Sequence, residues 1–376
     1  MELFTSEFVA QGHPDRYCDI ISNTILDKCL EQDSNSRVAV EALAKDNKVV
    51  LGGEITTNAN IDVEQIVKDV TKEIGYDWEP EVINFLGKQS PDIALGTNDE
   101  ANGAGDQGIM FGYATTDGPE YMPLAWSLAR DLIKEFEFLK ETNENYKWVK
   151  PDMKSQVTID YSSAVPLVHT VVLSIQTTED TNIDEVRDLY VKPVIEAVVQ
   201  SEKYSEFVDL AKDYILHFNA TGKFVIGGPY GDAGVTGRKI VVDQYGGYAP
   251  VGGGNLNGKD ATKVDRSGAY MARYLAKNIV AAGMLSECTI QIGYCIGVSQ
   301  PVSLNIETPD FTEEGYVERM EQAIMDNYDL SPAGIIKFLK LKEPRFVETA
   351  KYGHYGNDYA TWEQVDEDFK NKLGVN

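Results

Sequence analysis

Apolar and polar positions follow two rhythms along this chain. Alternating or continuous apolar runs predict strands at 48 to 57, 155 to 161, 168 to 177, 239 to 243 and 288 to 306. Intervals of three and four predict helices over 14 to 31, 62 to 74, 120 to 139, 183 to 201, 264 to 283, 313 to 327 and 332 to 341. In the third helix Leu124, Leu128, Leu132 and Phe136 present one apolar face; in the first, Cys18, Ile21, Ile25 and Cys29 form a buried stripe. The mixture is of α+β type, with no short sequence repeat in view. Two glycine-dense stretches, 94 to 108 and 222 to 258, read as domain junctions, and the second holds 12 of the 32 glycines. That density suits backbone that approaches a ligand or takes positive φ, although a series of tight turns uses glycine equally.

With 376 residues, 43% of them hydrophobic, the chain can build two or three domains, each with its own core. It contains no uninterrupted apolar run of about 18 residues, and its start, MELFTSEFVA, lacks the basic-then-apolar pattern of a secretory signal. A cytoplasmic protein is expected. Cys18, Cys29, Cys288 and Cys295 have neither zinc-site nor disulfide-scaffold spacing and read as reduced, structural residues. Thirty-four basic against sixty acidic residues give a net charge of -26, which argues against nucleic acid and anionic membranes as partners. An anionic ligand then needs a local reversal of sign. Residues 238 to 266 supply one, where Arg238, Lys239, Lys259, Lys263 and Arg266 face Asp243, Asp260 and Asp265.

Within that segment Gly253 to Lys259 imitates the opening of a P-loop, but Asp260 stands where a hydroxyl must coordinate Mg2+. No strand directly precedes it either, so the P-loop reading fails. A cationic loop at a helix start remains an anion site by way of amide donors and the helix dipole. Near the amino terminus, Gly12-His13-Pro14-Asp15-Arg16 opens a helix, with Pro14 suited to its first turn. Taken alone, Asp15 there could be a dipole-compensating acid and His13 a capping residue.

Other distinctive strings follow GHPDR in order: GGEITT (52 to 57), GKQSPDI (87 to 93), GAGDQG (103 to 108), PDMKSQVT (151 to 158), FVIGGPYGDAGVTGRKIVVD (224 to 243), GKDATKVDRS (258 to 267) and YGHYG (352 to 356). Together they strongly resemble the S-adenosylmethionine synthetase family over essentially the whole chain. The resemblance implies three similar α+β domains related by pseudo-threefold symmetry, here 1 to 97, 98 to 221 and 222 to 376, with a mobile lid at about 94 to 105. It further implies a homodimer with active sites at the dimer interface, often paired into a homotetramer. The implied reaction is attack of the L-methionine sulfur on C5′ of ATP, giving S-adenosylmethionine and tripolyphosphate, which is then hydrolysed to pyrophosphate and phosphate. Mg2+, two ions per site, and K+ are the implied cofactors.

The chemistry accounts for the residue types. A thioether has no proton to lose, so the nucleophile needs no base. The burden is the departing triphosphate, which calls for cations held in place beforehand. By resemblance, His13, Lys154, Arg238, Lys259 and Lys263 are catalytic. ATP is implied to contact His13, Asp152, Lys154, Lys223, Phe224, Asp232, Arg238, Lys239, Asn255 and Lys259. Methionine is implied to contact Glu54, Gln89, Asp106, Asp232 and Lys263. Asp15 and Asp265 are the implied Mg2+ ligands and Glu41 the K+ contact. An ATP-dependent phosphotransferase would also use a cationic loop with acidic metal ligands, but would make ADP. A non-catalytic regulatory subunit of the same fold would have lost residues such as His13, Asp15 or Lys154, which are present here. The chain departs from the family pattern at Arg16, Ala220, Lys223, Asn255, Leu256 and Asn257, all expected near the nucleotide, and its lid is shorter than in many bacterial relatives.

Overall fold

A computed structural model describes residues 2 to 88 and 104 to 375. Gln89 and most of the expected lid lie outside the described residues. One order of elements recurs along the chain. Strand β1 (Leu3–Val9) leads into helix α1 (Pro14–Gln32), the hairpin β2 (Arg37–Lys45) and β3 (Lys48–Thr56), helix α2 (Val63–Ile74) and strand β4 (Glu81–Gly87). The order repeats as β5 (Gly108–Thr115), α3 (Leu124–Thr142), β6 (Val149–Asp160), β7 (Leu167–Thr177), α4 (Lys192–Val199) and β8 (Asp209–Phe218). It recurs once more, without a closing strand among the described residues, as β9 (Gly234–Val235), α5 (Val264–Ala281), β10 (Glu287–Tyr294), β11 (Ser303–Glu307) and α6 (Tyr316–Asn327).

The sheets are not the contiguous thirds that this order suggests. They run β4-β3-β2-β9, β8-β7-β6-β1 and β11-β10-β5, so each opening strand is lent to another repeat's sheet. The exchange is circular: the first repeat lends β1 to the second, the second lends β5 to the third, and the third lends β9 back to the first. Hairpin neighbours pair antiparallel, while β4 and β8 return parallel to β3 and β7 after a helical crossover, the connection that parallel pairing needs. Each long helix packs against both the receiving hairpin and the borrowed strand: α1 on β2 and β9, α3 on β6 and β1, α5 on β10 and β5.

These three helices form the core. On α3 the anticipated face of Leu124, Leu128, Leu132 and Phe136 is buried. On α1 the cysteine stripe is buried too, but so are Arg16, Asp19, Ser22, Asn23 and Asp27, because sheet, borrowed strand and the short helix Phe346–Tyr352 enclose it from several sides. The polar groups are used: Asp27 accepts the Phe346 and Val347 N–H groups at 3.0 and 2.8 Å, holding the start of that short helix. Helix α5 comes so close to β5 that a Cβ on Gly112 would lie 2.1 Å from the Ala272 carbonyl. All four cysteines are free; Cys18, Cys29 and Cys288 are buried and Cys295 is exposed. Among the described residues no helix is long and apolar enough to cross a membrane.

One expected strand is not a strand. Ile240–Asp243 is a helical turn, closed by the Asp243 N–H on the Lys239 carbonyl at 2.7 Å. Its β-branched run gives way to tertiary bonds, with Trp126 Nε1 donating to the Val242 carbonyl at 2.7 Å and Asp243 reaching Arg16. The expected strand 288 to 306 is the β10–β11 hairpin. Strands β1, β2, β4, β5, β8 and β9 had no separate signal; β2 (RVAVEALAK) carries helix-forming Ala, Leu and Glu, and β9 is two residues long.

Gly112→Ala should destabilise the protein by about 1 to 3 kcal/mol, the usual cost of overpacking. Denaturant midpoints compared at equal m-values would measure it, and an unchanged midpoint would refute the close β5–α5 contact.

Candidate active site

The amino-terminal end of α1 is where the first group of expected residues meets. His13 is the N-cap, its Nδ1 accepting the Asp15 N–H at 3.2 Å, and Pro14 occupies the first turn. Asp15, almost fully buried, accepts the Val235 N–H at 3.0 Å and Lys239 Nζ at 2.6 Å, with Arg238 Nε 3.6 Å away. Burial alone would raise the Asp15 pKa, but these donors outweigh it and hold the carboxyl below its ordinary value. Burial, then the Lys239 charge, push the His13 pKa down to about 3, so its imidazole is neutral near pH 7. Two glycines make the junction possible. A Cβ on Gly234 would lie 2.0 Å from the Pro14 carbonyl oxygen, and one on Gly12 would lie 2.4 Å from Pro151.

Behind this surface lies a buried network. The Arg16 guanidinium sits between Asp243, in a very short contact, and Asp19, whose other oxygen accepts the Gly237 N–H at 2.9 Å. Burial disfavours the Arg16 charge, but Asp243 and Asp19 more than restore it and raise its pKa. The loop that carries Arg238 and Lys239 is thereby pinned at both ends, Gly237 and Asp243, to the first turns of α1. Only Nη1 reaches the two carboxylates; Nε and Nη2 are buried without a hydrogen-bond partner.

Asn257 extends the network. Its Nδ2 donates to Asp243 at 3.0 Å, and its Oδ1 accepts Asn23 Nδ2 at 2.8 Å and faces His354 Nε2 at 3.1 Å. Leu256 and Asn257 are fully buried, so two of the departures from the family pattern belong to the support and not to a ligand-facing surface. Arg16 likewise faces inward. His354 of YGHYG and Arg266 of KVDRS have the same supporting role; Arg266 donates to the Leu256 carbonyl at 2.6 Å and to Asn23 at 2.8 Å.

The second group stands at the start of α5. Lys259 pairs with Asp265 at 2.8 Å, and Lys263 pairs with Asp260 at 2.5 Å. Asp260 also accepts the Val38 N–H at 2.7 Å and both donors of Thr262, so burial is outweighed and its pKa is lowered. The two groups adjoin through small residues: a Cβ on Gly237 would lie 2.6 Å from Asn255, and one on Gly254 would lie 2.0 Å from Asp265 Oδ1. Asn255 spends its amide on the Asn257 backbone at 2.8 and 2.9 Å. Ala39 of β2 pairs with Glu54 on one side and bridges Lys259 on the other. Glu54 and Lys259 therefore share a sheet face about 10 Å apart, two strand spacings. Glu41, in mid-strand on β2 and not at its end, lies on this face with exposed Leu43 and Phe85.

The remaining expected residues are spread along the same side. Lys154 on β6 lies 3.5 Å from Glu7 of β1, and its charge is felt by His13. Asp152 accepts the Gly228 N–H at 2.7 Å, and burial, only partly offset by that bond, raises its pKa to about 6. Exposed Lys223 donates to the Glu179 carbonyl at 2.7 Å, half-buried Phe224 accepts the Thr177 N–H at 2.7 Å, and Asp232 is exposed beside them. Asp106 is exposed and, like Glu54, has no hydrogen bond to the cationic groups among the described residues.

No three His, Cys, Asp or Glu side chains converge as a metal cage among the described residues. Asp15 and Asp265 each present a single carboxylate, which fits Mg2+ shared with substrate phosphates and not a closed protein cage. The sequence offered one unused clue to the support: Asp15-Arg16 and Asp265-Arg266 are the same pair at equivalent starts of α1 and α5.

The N-terminal, central and C-terminal domain families of S-adenosylmethionine synthetase match residues 1–91, 101–224 and 226–364. An S-adenosylmethionine synthase of Mesoplasma florum is 48% identical over 97% of this chain and 98% of its own length. Those of Mycoplasma capricolum and Treponema denticola are 46% and 44% identical, over 97% and 96% of this chain and 95% and 96% of their own lengths.

Arg16→Met should cost about 3 to 5 kcal/mol, as it strands two buried carboxylates. Arg16→Lys should cost much less, because one nitrogen makes both contacts; equal losses in the two variants, measured by denaturant unfolding, would contradict the network. Asp152 gives a pH signature. With its folded pKa raised from 3.8 to about 6, the native state keeps a proton that the unfolded state releases. Its contribution therefore declines as pH rises from about 4 to 6 and is constant above, by about 3 kcal/mol in all. The stability gap between Asp152→Asn and the parent should shift in favour of the variant across that window.

Proposed function

The chain belongs to the S-adenosylmethionine synthetase family, and from that premise we propose that it is a methionine adenosyltransferase working by direct in-line displacement on ATP. The sulfur lone pair of L-methionine forms the bond to C5′ while the C5′–O5′ bond breaks and its electron pair leaves with the triphosphate. Sulfur becomes a sulfonium and no proton moves to or from it. Support comes from the gathering of Arg238, Lys239, Lys259 and Lys263 on one side of a molecule whose net charge is -26.

In this reading the cations bind and stabilise the leaving phosphate chain, each contributing about 3 to 4 kcal/mol if it acts like one oxyanion donor. His13 serves as a neutral donor. Its Nδ1 accepts the Asp15 N–H, which leaves the ring proton on Nε2 to meet the departing O5′. Asp15 and Asp265 would hold Mg2+, which when bound neutralises phosphate charge, and Glu41 would contact K+. Substrate entry then exchanges partners. Lys239 and Lys259 would turn from carboxylate to phosphate, leaving Asp15 and Asp265 available to hold Mg2+.

Glu54, Gln89, Asp106 and Asp232 would receive methionine, with Lys263 near its carboxylate. Asp152, Lys223, Phe224 and Asn255 would border the adenosine. The same cradle would hold tripolyphosphate for hydrolysis to pyrophosphate and phosphate. We place the site at a homodimer interface, as the face carrying Glu41 and Glu54 also exposes Leu43 and Phe85, the latter 71% accessible. A soluble cytoplasmic enzyme fits those substrates.

Incubation of purified protein with ATP, L-methionine, Mg2+ and K+ should give S-adenosylmethionine, pyrophosphate and phosphate by mass spectrometry. ADP as the nucleotide product would reject the proposal in favour of a phosphotransferase. Lys154→Met and Asp265→Asn should each lower kcat about 10²- to 10³-fold with thermal unfolding little changed, and Asp265→Asn should also raise the Mg2+ concentration for half-maximal rate. Near-normal turnover in either variant would mean that the cradle is misassigned.

A further inference from the structure

A cavity of about 470 Å³ opens between the α1–β2 loop, the Asp260–Thr262 turn and the short helix Pro332–Phe338 with the turn that follows it. Its volume is that of a small-molecule site. None of the residues assigned above to ATP, methionine or metal lines it. Leu30, Ala261, Pro332, Ile336 and Leu341 supply an apolar lining, which would favour a hydrophobic body such as a planar ring.

The polar part of the lining is cationic, against the charge of the whole molecule. Lys337, Lys340 and Lys342 surround the cavity together with Arg37. The two acids present are committed elsewhere: Asp260 holds Lys263, Thr262 and the Val38 N–H, and Glu343 pairs with Arg345. Lys342 rests on the neutral Asn35 amide at 2.6 Å. Among the described residues no carboxylate pairs with Lys337, Lys340 or Lys342.

The backbone fixes the course of the rim. The helix ends with the Leu341 N–H on the Ile336 carbonyl at 3.0 Å, a closing bond that places the intervening Lys340 at φ 52°. Glycine is the cheap residue in that left-handed position and lysine is not.

We propose that this cavity is a separate binding site for a small molecule with an apolar, ring-sized body and one anionic group, phosphate or carboxylate. The apolar lining takes the body and the Lys337–Lys342 rim takes the charge. The site shares the Asp260–Thr262 turn with the cradle but none of its cations.

Isothermal titration of the full chain with 2-naphthyl phosphate tests it. Binding at one site per chain is expected, unaffected by saturating Mg2+ and a non-hydrolysable ATP analogue, and much tighter than that of inorganic phosphate. The double change Lys337→Glu and Lys340→Glu should weaken it at least tenfold, and so should Ala333→Trp, which fills the cavity from the exposed side of the helix. Both variants should keep parental adenosyl transfer. Absence of binding, displacement by the ATP analogue, equal affinity for inorganic phosphate, or unchanged affinity in both variants would each overturn the proposal.

Discussion

The interaction on which this molecule depends is the pairing of each cradle cation with a carboxylate of its own chain. Lys239 lies on Asp15, Lys259 on Asp265 and Lys263 on Asp260, at 2.6, 2.8 and 2.5 Å. Without these carboxylates the closely spaced cations would repel one another and lose their fixed positions. The carboxylates thus serve twice: they hold the cations in place, and two of them are the groups we assign to Mg2+. The lysine ends of the pairs are partly exposed although Asp15 and Asp260 are buried, so exchanging partners costs less than breaking a fully dry ion pair.

What keeps those pairs in position is the circular lending of strands. Strand β9 is two residues long, yet it brings Val235 to Asp15 and carries the chain directly to Arg238 and Lys239. Strand β1 likewise carries Glu7 to Lys154. Each sheet edge filled by a foreign strand is also a place where one repeat's side chains meet another's, and it is there that the expected residues gather. The Arg16–Asp243–Asn257–His354 network then fixes that meeting from within. It shows where several family-like motif residues sit: they are buried polar groups that hold one another in place, with Arg16 Nε and Nη2 left over.

Much of this was legible in the residues. Helices α1, α2 and α5 appear close to their expected bounds because each has a long, regular apolar interval, whereas the expected helix 183 to 201 is broken by a π-helical segment at Arg187–Val191 and that at 332 to 341 stops at Phe338; the motif strings identified the family because many short patterns occurred in one order. The gathering of Lys and Arg between 238 and 266 was visible as composition alone. Short strands were less legible, since an edge strand such as β4 buries little and needs little pattern.

Tertiary structure decided the rest. No interval in the sequence says that β1 pairs with β6, 145 or more residues away, because backbone hydrogen bonds between strands carry no side-chain code for partner identity. Nor could it say that the β-branched residues Ile240, Val241 and Val242 would turn helically, which long-range bonds from Trp126 and Arg16 impose. Arg16 was a charge beside an expected metal ligand in the sequence; only folding made it a buried strut. The sequence by itself determined which chemistry the chain carries, since charge and polarity are local properties. Which of those charges face a substrate and which face the core was settled by packing, because burial is a property of the whole assembly of elements.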